Sequence, residues 1–108
     1  MQRRAGAKPG TAVFELHGPL QMETVPQFLK LVRAEKAPVM ILDLSDVGYL
    51  DSSGIGALVQ TLVDLNAAKR KLALAGLNAR VQSVMEVTRV ATQFKTASTA
   101  SEAEALVG

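Results

Sequence analysis

The sequence predicts an α/β domain in which a mainly parallel or mixed sheet of four to five strands carries about four helices, and three observations predict it. Short apolar runs bounded by Gly, Pro or Asn alternate with stretches whose apolar residues recur at helical spacing. The run Val39-Met40-Ile41-Leu42-Asp43-Leu44 is nearly continuous rather than alternating, the pattern of a strand covered on both faces. The length of 108 residues and mass of 11.4 kDa suit a single domain. At that mass, surface scaling gives roughly 5,800 Å² exposed when folded against about 16,500 Å² when extended, so one hydrophobic core suffices without staples.

Residues 1–10 read as a flexible Gly- and Ala-containing tail ahead of a domain over 11–108. Thr11 to His17 is a short strand closed by Gly18-Pro19. Thr24 is placed to cap a helix with Pro26 in its first turn, and Val25, Phe28, Leu29 and Val32 keep helical spacing to about Lys36, before Pro38. Ser45-Asp46-Val47-Gly48 forms a turn after the buried strand. From Ser53 to about Ala68, Ile55, Leu58, Val59, Leu62 and Leu65 form one apolar stripe. Leu72 to Ala75 is a strand ended by Gly76, and Asn78 caps a helix carrying Val81, Val84, Met85 and Val87. A short strand near Gln93-Phe94-Lys95 and a helix over roughly Ser101 to Leu106 complete the chain.

Composition excludes several function classes. Hydrophobic residues make up 48% and charged ones 20%, as in soluble globular proteins. The absence of cysteine removes disulfides, thiolate zinc sites and cysteine nucleophiles, and points to a cytoplasmic setting. No apolar run approaches the ~20 residues of a membrane span, and no signal peptide is evident. The net charge of +2 is carried by the start of the chain: without Arg3, Arg4 and Lys8, nine basic residues face ten acidic ones. With three Phe and one Tyr there is no base-stacking platform, so no direct nucleic-acid binding is expected.

The densest local signal is Tyr49-Leu50-Asp51-Ser52-Ser53-Gly54-Ile55-Gly56, between the buried strand and the longest helix. The loop at a strand's carboxyl end, leading into a helix N-terminus, is where ligands and modifications gather in α/β sheets. Free N–H groups and the positive dipole end there favour negative charge. A hydroxyl at this point can therefore accept a phosphate of about −1.5 to −2 charge at modest structural cost. Ordinary capping explains Asp51, Ser52 or Ser53 individually. It does not explain two glycines in the first turns of a helix, each costing roughly 0.5–1 kcal/mol relative to alanine, and these point to steric access being kept for a partner.

The stretch from Ile41-Leu42-Asp43-Leu44 through Asp51-Ser52-Ser53-Gly54-Ile55-Gly56 resembles the signature of the STAS domain, named for sulphate transporters and anti-sigma factor antagonists. The order of strands and helices fits the same family over roughly 11–106, so the resemblance implies a STAS-like single domain. Among anti-sigma factor antagonists the first serine of the motif is phosphorylated, which implies Ser52 as the modification site. It further implies partner binding by Gln21, Met22, Asp51, Ser52, Ser53, Gly54, Ile55 and Gly56. Asp51 would orient or cap, Ser53 would cap, and Ile55 would lie on the contact surface. The implied partners are an anti-sigma factor that is a serine kinase and a metal-dependent serine phosphatase that resets the cycle. The module itself is implied to be non-enzymatic, without cofactor or metal, and a monomer or weak dimer. Two departures stand out: Gln21 follows Gly18-Pro19-Leu20 where many members carry an acidic residue, and Arg89 stands where the family often shows glycine.

Two other function classes compete. One is a STAS subunit that is never modified and acts as a scaffold in a signalling or lipid-transport assembly. The other is a small enzyme using Ser52 or Ser53 with His17 as base. No Gly-x-Ser-x-Gly elbow supports the latter, and His17 ends a strand, where it is more simply a solvated residue. Nucleotide-binding glycine motifs are absent, and Asp43, Asp46 and Asp51 have turn and cap spacing rather than that of a metal site. Lys69-Arg70-Lys71 reads as a solvated run complementing a helix C-terminus, with an acidic partner as its functional alternative. Met22, Met40 and Met85 read most simply as core fillers, with an adaptable contact surface as the alternative for Met22.

Overall fold

The computed structural model describes residues 1–107 and orders five strands, β1 (Gln2–Ala5), β2 (Thr11–His17), β3 (Val39–Asp46), β4 (Lys71–Ala75) and β5 (Lys95–Ala97), side by side in that sequence. β2 through β5 run parallel, and β1 pairs antiparallel with β2. Three helices connect β2 to β5, namely α1 (Val25–Ala34), α2 (Ser52–Ala67) and α3 (Ala79–Val87), and a fourth, α4 (Ala100–Val107), follows β5. A 3-10 turn, Ala91–Gln93, leads into β5. The folded chain exposes 5827 Å², matching the area expected for its mass.

Strand alternation sorts the core into two layers. Phe14, Leu16, Met40, Leu42, Leu44, Leu72 and Leu74 point to the side covered by α1, α2 and α3, where Phe28, Val32, Leu58, Leu65, Val81 and Met85 meet them. Val13, Ile41, Ala73 and Ala75 point the other way, against Ala100, Ala103 and Val107 of α4. The alternation Leu72-Ala73-Leu74-Ala75 thus gives bulk to one face and leaves room for a close helix on the other. Because β3 is enclosed by both layers, Met40, Ile41, Leu42 and Leu44 are fully buried, which is why its sequence does not alternate.

The tail expected for residues 1–10 is replaced by structure. Gln2 to Ala5 register against Glu15 to Ala12, forming a hairpin with β2. Its turn is gripped from the far end of the chain: the buried Glu104 carboxylate of α4 accepts from the N–H groups of Ala7 and Lys8, each at 3.2 Å. Arg3 pairs with Glu35 at 2.8 Å and Arg4 with Glu15 at 3.3 Å. These contacts hold a strand whose own composition carries no strand signal.

Three other expectations change in detail. Thr24 occupies the N-cap position of α1 but does not cap it; its hydroxyl donates to the carbonyl of Pro19 at 2.9 Å and accepts from Gln21 N–H, folding the preceding turn. Arg70 is not solvated but half-buried, donating to the carbonyls of Ala37 and Glu35 beyond the end of α1. The Gln93-Phe94-Lys95 strand begins later, at Lys95, because the 3-10 turn takes up the preceding residues and Phe94 enters the core. By contrast Asn78 caps α3 as read, accepting from Val81 N–H at 2.8 Å.

Candidate functional site

The chain leaves β2 through Gly18, whose φ of +78° lies in the left-handed region that a side chain disfavours, and turns beneath the loop that follows β3. The two loops zip together. Gly18 N–H donates to Asp46 O, Leu20 N–H to Tyr49 O, and Asp51 N–H to Leu20 O, and Leu20 forms a parallel bridge with Leu50. Leu20, Val47 and Leu50 are buried, anchoring both loops to the core. What remains outward is a surface at the carboxyl end of the sheet.

Asp51 organises it. One oxygen accepts from Gly54 N–H at 2.9 Å, capping α2, and the other accepts from Met22 N–H at 3.0 Å, tying the β2–α1 loop to the helix start. The Gly54 N–H, then those of Met22 and Ser53, hold the Asp51 carboxyl below its ordinary pKa, against a smaller opposing effect of desolvation. Capping therefore falls to Asp51, and Ser53, expected as a cap, is a half-buried residue within the first turn.

Ser52 is the first residue of α2 and is exposed. Gly56, one turn on, is also exposed, and a Cβ there would meet nothing within 4 Å. Gly54 is the opposite case: it is buried, and a Cβ would overlap the Leu20 carbonyl oxygen. Ile55, expected on the contact surface, is only 8% exposed and packs in the core, because the α2 stripe that starts with it faces the sheet. Of the eight expected contact residues, Met22, Ser52 and Gly56 are open, Gln21, Asp51 and Ser53 are half-buried at the rim, and Gly54 and Ile55 lie beneath.

Two residues that sequence reading missed complete the surface. Tyr49 is 43% exposed beside the loop crossing, and Glu23 is exposed next to Met22, itself 68% exposed. The available signal was an aromatic two residues ahead of the capping Asp51, at the start of the motif itself. The His17 ring Nδ1–H donates to the Asp46 carboxylate at 2.8 Å, both exposed, at the ends of β2 and β3. Asp43 accepts from the Ser45 hydroxyl at 2.7 Å, so Asp43, Asp46 and Asp51 are each engaged separately. Among the described residues no group of three or more His, Cys, Asp or Glu is gathered to hold a metal ion, and no helix is long and apolar enough to cross a membrane.

The STAS domain family model matches residues 2–103. The chain belongs to the STAS domain family. This STAS domain is 32% identical over 74 residues to the anti-sigma-B factor antagonist of Staphylococcus aureus, a span covering 66% of this chain and 68% of that protein. Its fold superposes on the crystal structure of a Thermotoga maritima protein described as a candidate anti-sigma factor antagonist, with a TM-score of 0.90 and 25% identity over 98% of this chain and 92% of that one. The same fold occurs in the Bacillus cell fate determinant SpoIIAA in its phosphorylated form, with a TM-score of 0.74 and 21% identity over 99% and 98% of the two chains. Relatives of this STAS domain are thus anti-sigma factor antagonists. The match begins at Gln2, in keeping with β1 being part of the sheet.

Proposed function

We propose that this STAS domain is an anti-sigma factor antagonist: a non-enzymatic binding module that docks an anti-sigma factor with serine-kinase activity through the surface around Ser52, and is released when Ser52 is phosphorylated. The observation that carries the reading is the placement of the Ser52 hydroxyl, exposed on the first residue of a capped helix and flanked by an open glycine and an exposed Met22. A kinase can reach it there. The helix N-terminus tolerates the added charge within the domain. Within a docked interface the same dianion would be desolvated beside Asp51 and Glu23, which is unfavourable unless the partner supplies cations.

SpoIIAA, which shares the fold, exists in phosphorylated and unphosphorylated forms, and the unphosphorylated form is called an anti-sigma factor antagonist. A phosphatase would return the modified domain to its binding state. The test is incubation with the cognate anti-sigma factor and ATP, followed by mass mapping. One phosphate at Ser52 is expected, Ser52→Ala should bind with affinity near that of the parent, and Ser52→Asp should bind more weakly. Equal affinity for both variants would remove Ser52 from the interface, and a phosphate only at another residue would remove the switch. Stable binding without any phosphate transfer would favour an unmodified scaffold.

A further inference from the structure

Five of the six lysines of this chain gather at one end of the sheet although its total charge is close to neutral. Residues 9–29 and 37–68 contain no Lys or Arg, and they supply the carboxyl ends of β2 and β3 and the whole Ser52 surface. At the opposite end of the sheet, register aligns Thr11, Val39 and Lys71, and pairs Ala73 with Lys95. The turns feeding β2 to β5 therefore present Lys8, Lys36, Lys69, Lys71 and Lys95 at one pole, all exposed. Among the described residues none of the five pairs with a carboxylate.

Lys36 and Lys69 follow helix C-termini, and the helix dipole accounts for them. It does not account for Lys71 and Lys95, which open strands, nor for what lies between them. These two lysines share a recess of about 150 Å³ with Arg70 and Gln93, and its apolar part is formed by Leu62, Leu72 and Val107. A concave apolar patch rimmed by unpaired ammonium groups selects an amphipathic anion. We infer that this pole is a second docking surface, and that its occupant is an acidic segment of a partner protein in which Asp or Glu side chains flank an apolar one. A nucleic-acid strand needs a track of phosphate contacts and stacking aromatics, and the aromatic nearest this recess, Phe94, is buried. A bilayer favours protruding apolar residues, whereas here the apolar atoms line a hollow. Because the two surfaces lie at opposite ends of the strands, occupancy of one leaves the other open, and this inference does not depend on the role of Ser52.

The test is fluorescence anisotropy of the full chain with a labelled peptide repeating Glu-Glu-Leu. Saturable binding is expected, weakening roughly tenfold between low and physiological salt as the charges are screened. Lys71→Glu with Lys95→Glu should weaken it by about tenfold or more, and the neutral pair Lys71→Gln with Lys95→Gln by less, guarding against misfolding of the reversed pair. Lys8→Glu with Lys36→Glu makes the same change in net charge outside the recess and should leave affinity within about threefold. Ser52→Asp should have no effect. Equal losses from both reversed pairs would show diffuse attraction and overturn the site. So would tighter binding of single-stranded DNA or phosphatidylserine vesicles than of the peptide, or no saturation.

Discussion

The inward and outward sides of the first two turns of α2 differ in kind although they alternate within five residues. Gly54 and Ile55 face the protein, one yielding space to the Leu20 carbonyl and the other filling the core. Ser52 and Gly56 face solvent, and nothing in the fold requires either to be small. A single motif thus joins a structural half, which locks two loops together, to a free half, which is available to a partner. The same residue type, glycine, serves opposite purposes two positions apart.

The comparison breaks most severely on the inward side. Ile55→Ala should destabilise the domain by about 2–4 kcal/mol, read as the shift in denaturant midpoint, because its neighbours cannot collapse fully into the space left. Gly54→Ala should cost about 1–3 kcal/mol by the same measurement, since the methyl group displaces the Leu20 backbone. On the outward side the sign reverses. Gly56→Ala should stabilise the helix by about 0.5–1 kcal/mol while weakening partner binding. A stabilised variant with unchanged affinity would show that no partner approaches this turn.

Asp51 joins the two halves, and its effect is the smallest of the series. Asn is an equally good cap, so Asp51→Asn should lower the melting temperature only slightly near neutral pH. The folded carboxyl has a depressed pKa, so its contribution is fully present above the ordinary carboxylate range and is lost as pH falls through the folded value. The difference between parent and variant should hence be constant above about pH 5 and vanish in stronger acid. A gap that persists at low pH would mean the cap acts through shape alone.

Most of the fold was legible because each central element announces itself locally. The unbroken apolar run of β3, the stripe of α2 and the Asn78 cap need no distant information. Elements whose partners lie far off were not legible. β1 is mostly polar and exposed throughout, and the groups that hold it and its turn, Glu35 just after α1 and Glu104 in α4, lie far along the chain. Thr24 has the right residue type and position for a cap, yet its hydroxyl oxygen accepts from the preceding Gln21 N–H while the O–H donates to the Pro19 carbonyl, so it serves the turn and not the helix. At the site, Ser52, Gly56 and Met22 were legible as surface, but the direction of Ile55 depended on the phase of the helix relative to the sheet. Arg89, just past the Thr88 cap of α3, takes a φ of +63°, a left-handed conformation that glycine adopts without strain. The sum of charges concealed its arrangement for the same reason: proximity between Lys71 and Lys95 is a property of strand register.

The buried grip of Glu104 on Ala7 and Lys8 couples the earliest and latest parts of the polypeptide. The clasp on the β1–β2 turn can close only once α4 packs on the sheet, so until then the hairpin is held without it. Shortening the trailing helix would then fray the opposite terminus, a lesion appearing nearly a hundred positions from its cause.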